Sequence, residues 1–422
     1  MMSDQSVTTG IGNGQVPSPD FVEAGSSKRW SVLLATSLTY FYDSYDLVIL
    51  AIAMPVLIKV LGISMAQGGL LASVTMVGAA LGSIIIGMIA ENRGRRYSLI
   101  LSMIWFGVGT GFVYCINSWE SWMALRFITG VAIGGVFGPC VALITVHWAP
   151  KYRARATAFM LSTFAIGAVV ASFVGRFSLS YDFRILFATG ASSAIVALAF
   201  WYLIPADNDQ RFIEKTSDAK PVAEKVAFKE IFSGESGKRT ILGTVLQCCS
   251  LGGFWGAITW IPTFLTKERG LSLETMANFS FLMYTGMFIG YQFFGYLGDK
   301  IGRKKALACS FLTDVVAIPV YLMIENGMFL FWWGLLVGMG FGGLFGVTGA
   351  FFAELFPQRI RALAGGFCYN VGRFGAIIAP FTVGVIGQTY GLRVGLLVAC
   401  GVFLIGVLIL SMLPETFRSK EA

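Results

Sequence analysis

Residues 87–96 have the sequence GMIAENRGRR, and residues 295–304 have the sequence GYLGDKIGRK. The two stretches lie 208 positions apart and share the pattern Gly-x-x-x-(Glu/Asp)-x-x-Gly-Arg-(Arg/Lys). The same offset relates two further pairs of segments, residues 134–138 with 342–346 and residues 167–171 with 375–379. Several matches at one spacing indicate that the chain consists of two halves with the same architecture.

The composition around these loops is that of an integral membrane protein. Of the 422 residues, 56% are hydrophobic and 13% are charged, whereas a soluble domain carries about 25% charged residues. So few charges could not cover a water-facing surface in any fold. The 51 glycines fit the same class, because small residues let membrane helices approach each other closely.

Twelve apolar segments follow one another, each close to the roughly 20 residues that cross a bilayer as a helix. They cover approximately residues 30–58, 66–90, 97–116, 121–146, 156–178, 185–204, 240–265, 276–297, 304–323, 328–353, 362–387 and 393–413. The sequence predicts an all-α polytopic membrane protein with twelve transmembrane helices in two pseudo-symmetric six-helix bundles. Parallel six-helix repeats are a transporter architecture, with the substrate site where the repeats meet.

The polar stretches define the predicted domains. We expect a disordered cytoplasmic tail over residues 1–29, a first bundle over 30–204, a cytoplasmic linker over 205–239, a second bundle over 240–413 and a cytoplasmic tail over 414–422. The linker contains seven Lys or Arg residues and seven Asp or Glu residues.

The positions of the basic residues predict the orientation. With both termini inside, the inner loops and tails carry 23 of the 31 Lys and Arg residues, the outer loops carry six, and two fall inside helices. This is the excess of positive charge that marks cytoplasmic loops. The net charge of +8 is therefore a topology signal, and nucleic acid is not an expected partner. We expect a multi-pass protein of the cytoplasmic membrane that works as a monomer.

The repeated loop also predicts a conformational latch on the cytoplasmic side. In each half an acid at the end of the second helix can pair with the following arginine, and such a pair can break when the halves move. The predicted latch residues are Gly87, Glu91, Arg95, Asp299, Arg303 and Glu354. The alternative is that these cations only set the topology.

The repeated loop resembles the signature loop of the major facilitator superfamily. Further matching stretches are residues 126–130 with Gly134 and Gly135, residues 354–361 and residues 414–417. The resemblance extends over residues 30–418 and implies the fold of that superfamily and transport by alternating access. One departure is that the first loop has Glu91 and Asn92 where the family usually has Asp and Arg.

Helix one carries two acids, Asp43 and Asp46, inside an apolar stretch. A carboxylate within a membrane span is costly unless it is protonated, paired or facing water, so both are functional candidates. Their spacing places them on one helix face, and burial beside a like charge disfavours ionisation. We predict that at least one of them binds the coupling proton. The alternative is that one serves only as the ion-pair partner of a buried arginine.

Two arginines, Arg126 and Arg373, also lie inside predicted helices. Their repeat positions are occupied by Gly334 and Ala165, so the shared scaffold does not require them. A guanidinium stays charged and can hold a carboxylate through two parallel hydrogen bonds. We predict that Arg373 and Arg126 bind the substrate carboxylate, with a structural ion pair as the alternative for Arg373 and a conformational role as the alternative for Arg126.

Five further residues complete the set of candidates. We predict that Tyr45, Tyr369, Trp255 and Gln247 line the substrate cavity, because they lie on helices one, seven and eleven. Asp314 lies in helix nine, a position that is usually peripheral in the superfamily. We expect it to have a structural, hydrogen-bonded role.

A narrower resemblance indicates the substrate. Residues 43–46, DSYD, resemble the Asp-Gly-(Phe/Tyr)-Asp motif of the aromatic acid:proton symporters, and residues 370–380, NVGRFGAIIAP, resemble a stretch of their helix eleven. The resemblance implies transport roles for the two acids and the two buried arginines. It also implies proton-coupled uptake of a benzoate, a hydroxybenzoate or a ring-cleavage dicarboxylate such as muconate. Ser44 replaces the family's glycine, and lactate, sialate and nicotinate carriers with a similar motif remain alternatives.

Other classes of membrane protein are less compatible with these residues. A sugar or polyol carrier would have less use for two buried arginines, and a drug efflux pump would usually carry a proline between Gly167 and Gly175. A channel or a membrane enzyme is the alternative from a different class. One histidine and seven scattered cysteines argue against enzymatic clusters and against a metal site. No ATP-binding motif is present, so the expected partners are an organic anion and protons, with no cofactor.

Overall fold

The computed structural model describes residues 26–205 and 227–416, which form helices and turns without a β-strand in those ranges. We label the helices that cross the bundle α1 to α12; α4 and α6 each consist of two consecutive parts. Their bounds are α1 Ser26–Leu61, α2 Met65–Arg93, α3 Arg95–Gly111, α4 Trp119–Gly134 and Phe137–His147, α5 Pro150–Ser178, α6 Phe183–Gly190 and Ser192–Leu203, α7 Gly234–Lys267, α8 Leu273–Ile301, α9 Arg303–Met323, α10 Gly327–Leu355, α11 Arg361–Tyr390 and α12 Leu392–Ser411. Short 3-10 helices span Phe112–Cys115 and Phe228–Phe232.

Eleven helices of the described ranges are long and apolar enough to cross a membrane. The remaining one, α8, has the length to cross, at 29 residues. Its sequence is less apolar because it contains Tyr284, Tyr291, Gln292 and Tyr296. In the second half α8 takes the place that α2 has in the first. The predicted fold of twelve transmembrane helices in two six-helix bundles is confirmed.

Three helices begin well before the predicted boundaries. Helix α1 begins at Ser26 rather than at residue 30, α5 at Pro150 rather than at residue 156, and α7 at Gly234 rather than at residue 240. The added turns are polar, so these helices extend beyond the apolar segments from which the boundaries were predicted. Residues 1–25 and 417–422 of the predicted tails lie outside the described residues, as do residues 206–226 of the predicted linker.

Glycines at matching positions bring α2 against α4 and α8 against α10. A Cβ atom added to Gly82 or Gly134 would lie 1.8 or 1.9 Å from a carbonyl oxygen of the facing helix. The glycines 208 positions later, Gly290 and Gly342, are equally close to their neighbours, at 2.1 and 2.0 Å. Such small residues allow close backbone packing within a membrane. Each half is therefore held together by the same pair of tightly packed helices.

The two sides of the bundle carry different loops. We call the side with residues 205 and 227 and the turns at Gly94 and Gly302 the linker side, and the opposite side the far side. Gly94 and Gly302 belong to the repeated loop and have φ angles of 91° and 103°, which residues with a side chain rarely adopt. This backbone requirement explains the second glycine of the pattern, Gly94 in the first copy and Gly302 in the second.

The halves meet mainly along two pseudo-symmetric pairs of helices, α2 with α11 and α5 with α8, and α1 also contacts α7. On the far side, a Cβ atom added to Gly69 of α2 would lie 2.5 Å from the carbonyl oxygen of Pro380 in α11. There the other pair is joined by Arg176 of α5 and Glu274 of α8, whose charged groups are 3.1 Å apart. These contacts close the space between the halves on the far side.

Candidate functional site

A cavity of about 840 Å³, which we call the vestibule, lies between the halves. It extends from Gly87 at the end of α2 and Arg361 at the start of α11 to Tyr40 and Arg373 in the middle of their helices. Its lining residues belong to α1, α2, α4, α5, α7, α8, α10 and α11. Because Gly87 and Arg361 are near the linker side, the vestibule is open toward that side.

A smaller chamber of about 90 Å³, the inner chamber, lies next to the vestibule. Asp43, Leu47 and Met76 border the inner chamber and not the vestibule. Seven residues border both spaces and form what we call the neck: Tyr40, Gly134, Phe137, Tyr291, Phe345, Tyr369 and Arg373. The neck therefore separates Asp43 from the wide part of the cavity.

Arg126 and Asp46 form an ion pair inside the first half. Nη1 of Arg126 lies 3.0 Å from Oδ2 of Asp46, and both side chains are at most 2% exposed. Nε of Arg126 also donates to Oγ1 of Thr75 at 3.3 Å, and the hydroxyl of Thr110 donates to Asp46. All four residues belong to α1–α4. The pair therefore connects helices of one half, and its charges compensate each other away from the vestibule.

Asp43 has different surroundings, although it precedes Asp46 by only three residues. It is 8% exposed, and its Oδ1 atom has no hydrogen-bond partner within the described ranges. Positions three residues apart on an α-helix differ by about 60° around the axis. That rotation directs Asp46 into the first half and Asp43 toward the space between the halves.

Arg373 has no carboxylate partner among the residues that the structure describes. Its Nη1 donates to the carbonyl oxygen of Ala79 in α2 at 2.9 Å, and its Cζ lies 5.3 Å from the ring centre of Tyr369. A guanidinium has more N–H donors than these contacts use, and the side chain borders both cavities. Arg373 is therefore able to bind a carboxylate through parallel hydrogen bonds.

Aromatic rings form most of the neck. Phe137 stacks on Tyr369 with ring centroids 5.7 Å apart and 22° between the planes. Tyr291 stacks on Phe345 at 6.2 Å and 21°. The residues predicted for the site do not include Phe137, Phe345 or Tyr291. The two phenylalanines could have been found from the repeat, because they occupy the same position in the repeated segments 134–138 and 342–346.

Three of the four other predicted cavity residues border the cavities. Tyr369 and Gln247 border the vestibule, and Trp255 borders the inner chamber. Gln247 is 2% exposed, and its side-chain oxygen has no hydrogen-bond partner in the described part of the chain. Tyr45 lies elsewhere, because its hydroxyl is 2.6 Å from Oγ1 of Thr189 in α6.

The predicted latch of the second half is a connected cluster in the structure. Arg303 lies 2.6 Å from Asp299 and 3.3 Å from Glu354, and the hydroxyl of Thr416 donates to Glu354 at 2.9 Å. The cluster connects the α8–α9 turn with the ends of α10 and α12. All of its members belong to the second half.

The corresponding residues of the first half are arranged differently. Gly87 borders the vestibule, whereas its repeat counterpart Gly295 does not. A role of either loop as a latch during transport stays a prediction.

Asp314 lies outside both cavities, on the peripheral helix α9 and against α10. It is fully buried, and a Cβ atom added to Gly340 would come within 2.1 Å of its Oδ1 atom. Neither carboxylate oxygen has a hydrogen-bond partner in the described ranges. The peripheral position agrees with the prediction, but the predicted hydrogen bond is absent from the described part of the chain.

Comparison with protein families identifies the architecture. The family model of the Major Facilitator Superfamily matches residues 36–291 and 244–422. The chain belongs to the major facilitator superfamily. This facilitator is therefore a multi-pass membrane transporter of a small molecule and not an enzyme, as the sequence predicted.

Individual relatives agree with the predicted resemblance to the aromatic acid:proton symporters. The facilitator is 25% identical over 388 residues to a cis,cis-muconate transport protein of Acinetobacter baylyi, with 90% of this chain and 94% of the relative covered. It is 24% identical over 393 residues to a benzoate transport protein of the same species, with 84% and 83% covered. The crystal structure of a D-xylose-proton symporter superimposes with a TM-score of 0.76 at 17% identity, covering 92% of this chain and 99% of that one. At that identity the likeness shows the shared fold.

Proposed function

We propose that this facilitator takes up a small organic carboxylate together with a proton by alternating access. The substrate class is an aromatic acid, such as a benzoate or hydroxybenzoate, or a ring-cleavage dicarboxylate, such as muconate. The observation that carries the proposal is Arg373, a guanidinium in the cavity between the halves without a carboxylate partner in the described residues. The muconate and benzoate transport proteins among its relatives support the same substrate class.

The surroundings of Arg373 fit an anion with a ring or a conjugated chain. Tyr369 lies under the guanidinium, and Phe137, Tyr291 and Phe345 border the same neck. Aromatic pairs gain about 0.5–1.5 kcal/mol beyond their buried area when stacked or edge-on. We infer that the carboxylate binds Arg373 and that the unsaturated part of the substrate packs against these rings.

The direction of transport follows from the proposed orientation. If the linker side, which carries most of the Lys and Arg residues, faces the cytoplasm of the cell, then the structure is open inward and closed outward. The chain is proposed to lie in the cytoplasmic membrane with both ends inside and to work as a monomer. In this orientation the vestibule is the exit for the substrate.

The two acids of α1 receive different roles in this mechanism. Asp43 is the proposed proton site, since it faces the space between the halves and one of its oxygens is unpartnered. It takes up a proton when the cavity faces outward and loses it when the cavity faces inward. Asp46 acts through Arg126, which it neutralises inside the first half. Protonation of Asp43 leaves Arg373 as the charge in the cavity, which favours entry of an anion.

Reconstituted transporter tests this assignment. We expect Asp43→Asn to abolish accumulation of benzoate or muconate under an inward-directed proton gradient, because the amide cannot bind and release a proton. Exchange of labelled for unlabelled substrate should persist, because it requires no net proton movement. Asp46→Asn should reduce both activities, since it leaves Arg126 without its counter-charge.

Full proton-driven accumulation by Asp43→Asn would remove this residue from the coupling mechanism. Thermal-shift measurements on the purified protein with benzoates, hydroxybenzoates, muconate, lactate, nicotinate and sugars test the substrate class independently. Stabilisation by a sugar and by no carboxylate would overturn the proposal in favour of a sugar or polyol carrier.

A further inference from the structure

We propose that the stacked rings of Phe137 and Tyr369 form a gate that closes the inner chamber, and with it Asp43, from the vestibule. The inference rests on the proposed function, since it assigns to the gate the control of the coupling proton. Phe137 is then a functional residue, and Tyr369 has a role in the gate besides its contact with the substrate.

The sizes of the two spaces support this division. A cavity of about 150 Å³ holds one benzene molecule, and a single water needs about 10–15 Å³. The inner chamber, at about 90 Å³, is too small for a substrate ring and large enough for a few waters. The vestibule, at about 840 Å³, has room for the whole substrate. The ring of the substrate and Asp43 therefore belong on opposite sides of the neck.

The stack is formed by residues of opposite halves. Phe137 follows the interruption of α4 at Gly135 and Val136 and belongs to the first half, whereas Tyr369 lies on α11 of the second half, one turn before Arg373. A movement of one half against the other on the linker side therefore changes the distance between these rings. Because the two rings belong to opposite halves, the movement of the halves during transport opens or closes the gate.

The other stacked pair of the neck lacks this property. Phe345 and Tyr291 lie on α10 and α8, which pack tightly inside the second half. Their stack moves as one body when the halves rotate, so it forms part of the wall. Phe345 is also the repeat counterpart of Phe137, which makes it a matched control of the same size and residue type.

The gate links proton release to the movement of the substrate. A planar acid that binds Arg373 through its carboxylate brings its ring to the face of Tyr369, where Phe137 packs in this structure. Displacement of Phe137 then opens the neck, and Asp43 can exchange its proton with the vestibule. Without substrate the stack stays closed in this state, which limits proton leakage.

A cysteine in the inner chamber reports the gate directly. Met76 borders the inner chamber but not the vestibule, so Met76→Cys is the reporter, and its reaction with a membrane-impermeant thiol reagent is followed by site-specific mass spectrometry in sealed vesicles with the linker side exposed. We expect Phe137→Ala to raise the labelling rate of this cysteine about tenfold without substrate. Phe345→Ala should leave the labelling rate nearly unchanged, because Phe345 stacks on a residue of its own half.

Equal labelling rates in all three proteins, or an equal rise with Phe345→Ala, would overturn the gate. If Phe137→Ala does not fold, Phe137→Leu provides the second variant, because it keeps an apolar side chain and removes the stacked ring; it should also accelerate labelling and raise substrate-free proton leak in proteoliposomes. Labelling needs no substrate, so its outcome is separate from the proposed function. Accelerated labelling without carboxylate uptake would support the gate and contradict the proposed function. Carboxylate uptake with unchanged labelling would contradict the gate and leave the proposed function supported.

Discussion

The two arginines inside the membrane, Arg126 and Arg373, have opposite surroundings. Arg126 is almost fully buried, and its charge is compensated by Asp46 of the same half. Arg373 is half-buried and donates to a backbone carbonyl of the other half, at Ala79, while it borders the cavity. The contact inside one half joins two buried opposite charges. The contact between the halves is weaker, and it can break when the halves separate.

The same division holds for exposed charges. Arg303, Asp299 and Glu354 form a cluster inside the second half. Arg176 and Glu274 pair between the halves on the far side, with side chains 42% and 55% exposed. Contacts within a half therefore maintain the fold, whereas contacts between the halves set the balance of conformations. Substitutions of the two kinds should therefore change different measured quantities.

The largest expected effect concerns stability. Arg126→Met leaves the carboxylate of Asp46 buried without its counter-charge, which typically costs about 3–5 kcal/mol. We expect a clear fall in the midpoint of thermal unfolding of the purified protein, together with a lower yield of folded protein.

The double variant Arg126→Met with Asp46→Leu is the matched control for this prediction. Replacing both charges by apolar groups is often close to neutral for stability, so the double variant should recover most of the lost midpoint. A single variant as stable as the wild type would contradict the view that this pair maintains the first half. A double variant no more stable than the single one would contradict it as well.

The next effect concerns substrate binding. Arg373→Ala removes charge-assisted hydrogen bonds worth about 1.5–3 kcal/mol, so we expect the affinity for benzoate or muconate to fall about 10- to 100-fold in isothermal titration. The unfolding midpoint should change much less than with Arg126→Met, because the guanidinium of Arg373 is half-buried and faces the cavity.

Arg373→Lys refines this test, since it keeps the charge and removes the planar pair of donors. An intermediate affinity is expected if the carboxylate is held by two parallel hydrogen bonds. Unchanged affinity in Arg373→Ala would make this residue a structural link between α2 and α11.

Much of this fold could be predicted from the sequence because its signals are local and repeated. The apolar segments gave the twelve helices, and the pairing of residues 87–96 with residues 295–304 gave the two halves. The close helix packing also follows the repeat, since Gly82 and Gly290 make equivalent contacts. Such features depend on composition and spacing, which a sequence contains directly.

The site could be predicted only in part because it depends on side-chain directions between distant segments. Asp43 and Asp46 have the same helical face in the sequence pattern, and only the packing of α4 against the first half shows that Asp46 meets Arg126. The cavity position of Phe137 depends in the same way on the interruption of α4, which turns its ring toward Tyr369 of the other half.

The smallest expected effect tests the balance of conformations. Arg176→Gln breaks the exposed ion pair between the halves, and such pairs are worth about 0.2–1 kcal/mol. The population that is closed on the far side should therefore fall by at most about fivefold relative to the open one. Spin labels at Lys59→Cys and Lys267→Cys, two exposed and repeat-related positions on the far side of opposite halves, report this population through their distance distribution.

Glu235→Gln is the control for this measurement, because Glu235 forms an exposed ion pair with Arg239 within α7, at 3.6 Å. Each substitution removes one charge of an exposed ion pair, but only Arg176→Gln removes a contact between the halves. We therefore expect a longer far-side distance population with Arg176→Gln and an unchanged distribution with Glu235→Gln. The shift should shrink at high salt, which screens exposed charges. Equal shifts in both variants would show that the loss of any exposed ion pair, rather than the loss of a contact between the halves, changes the balance of conformations.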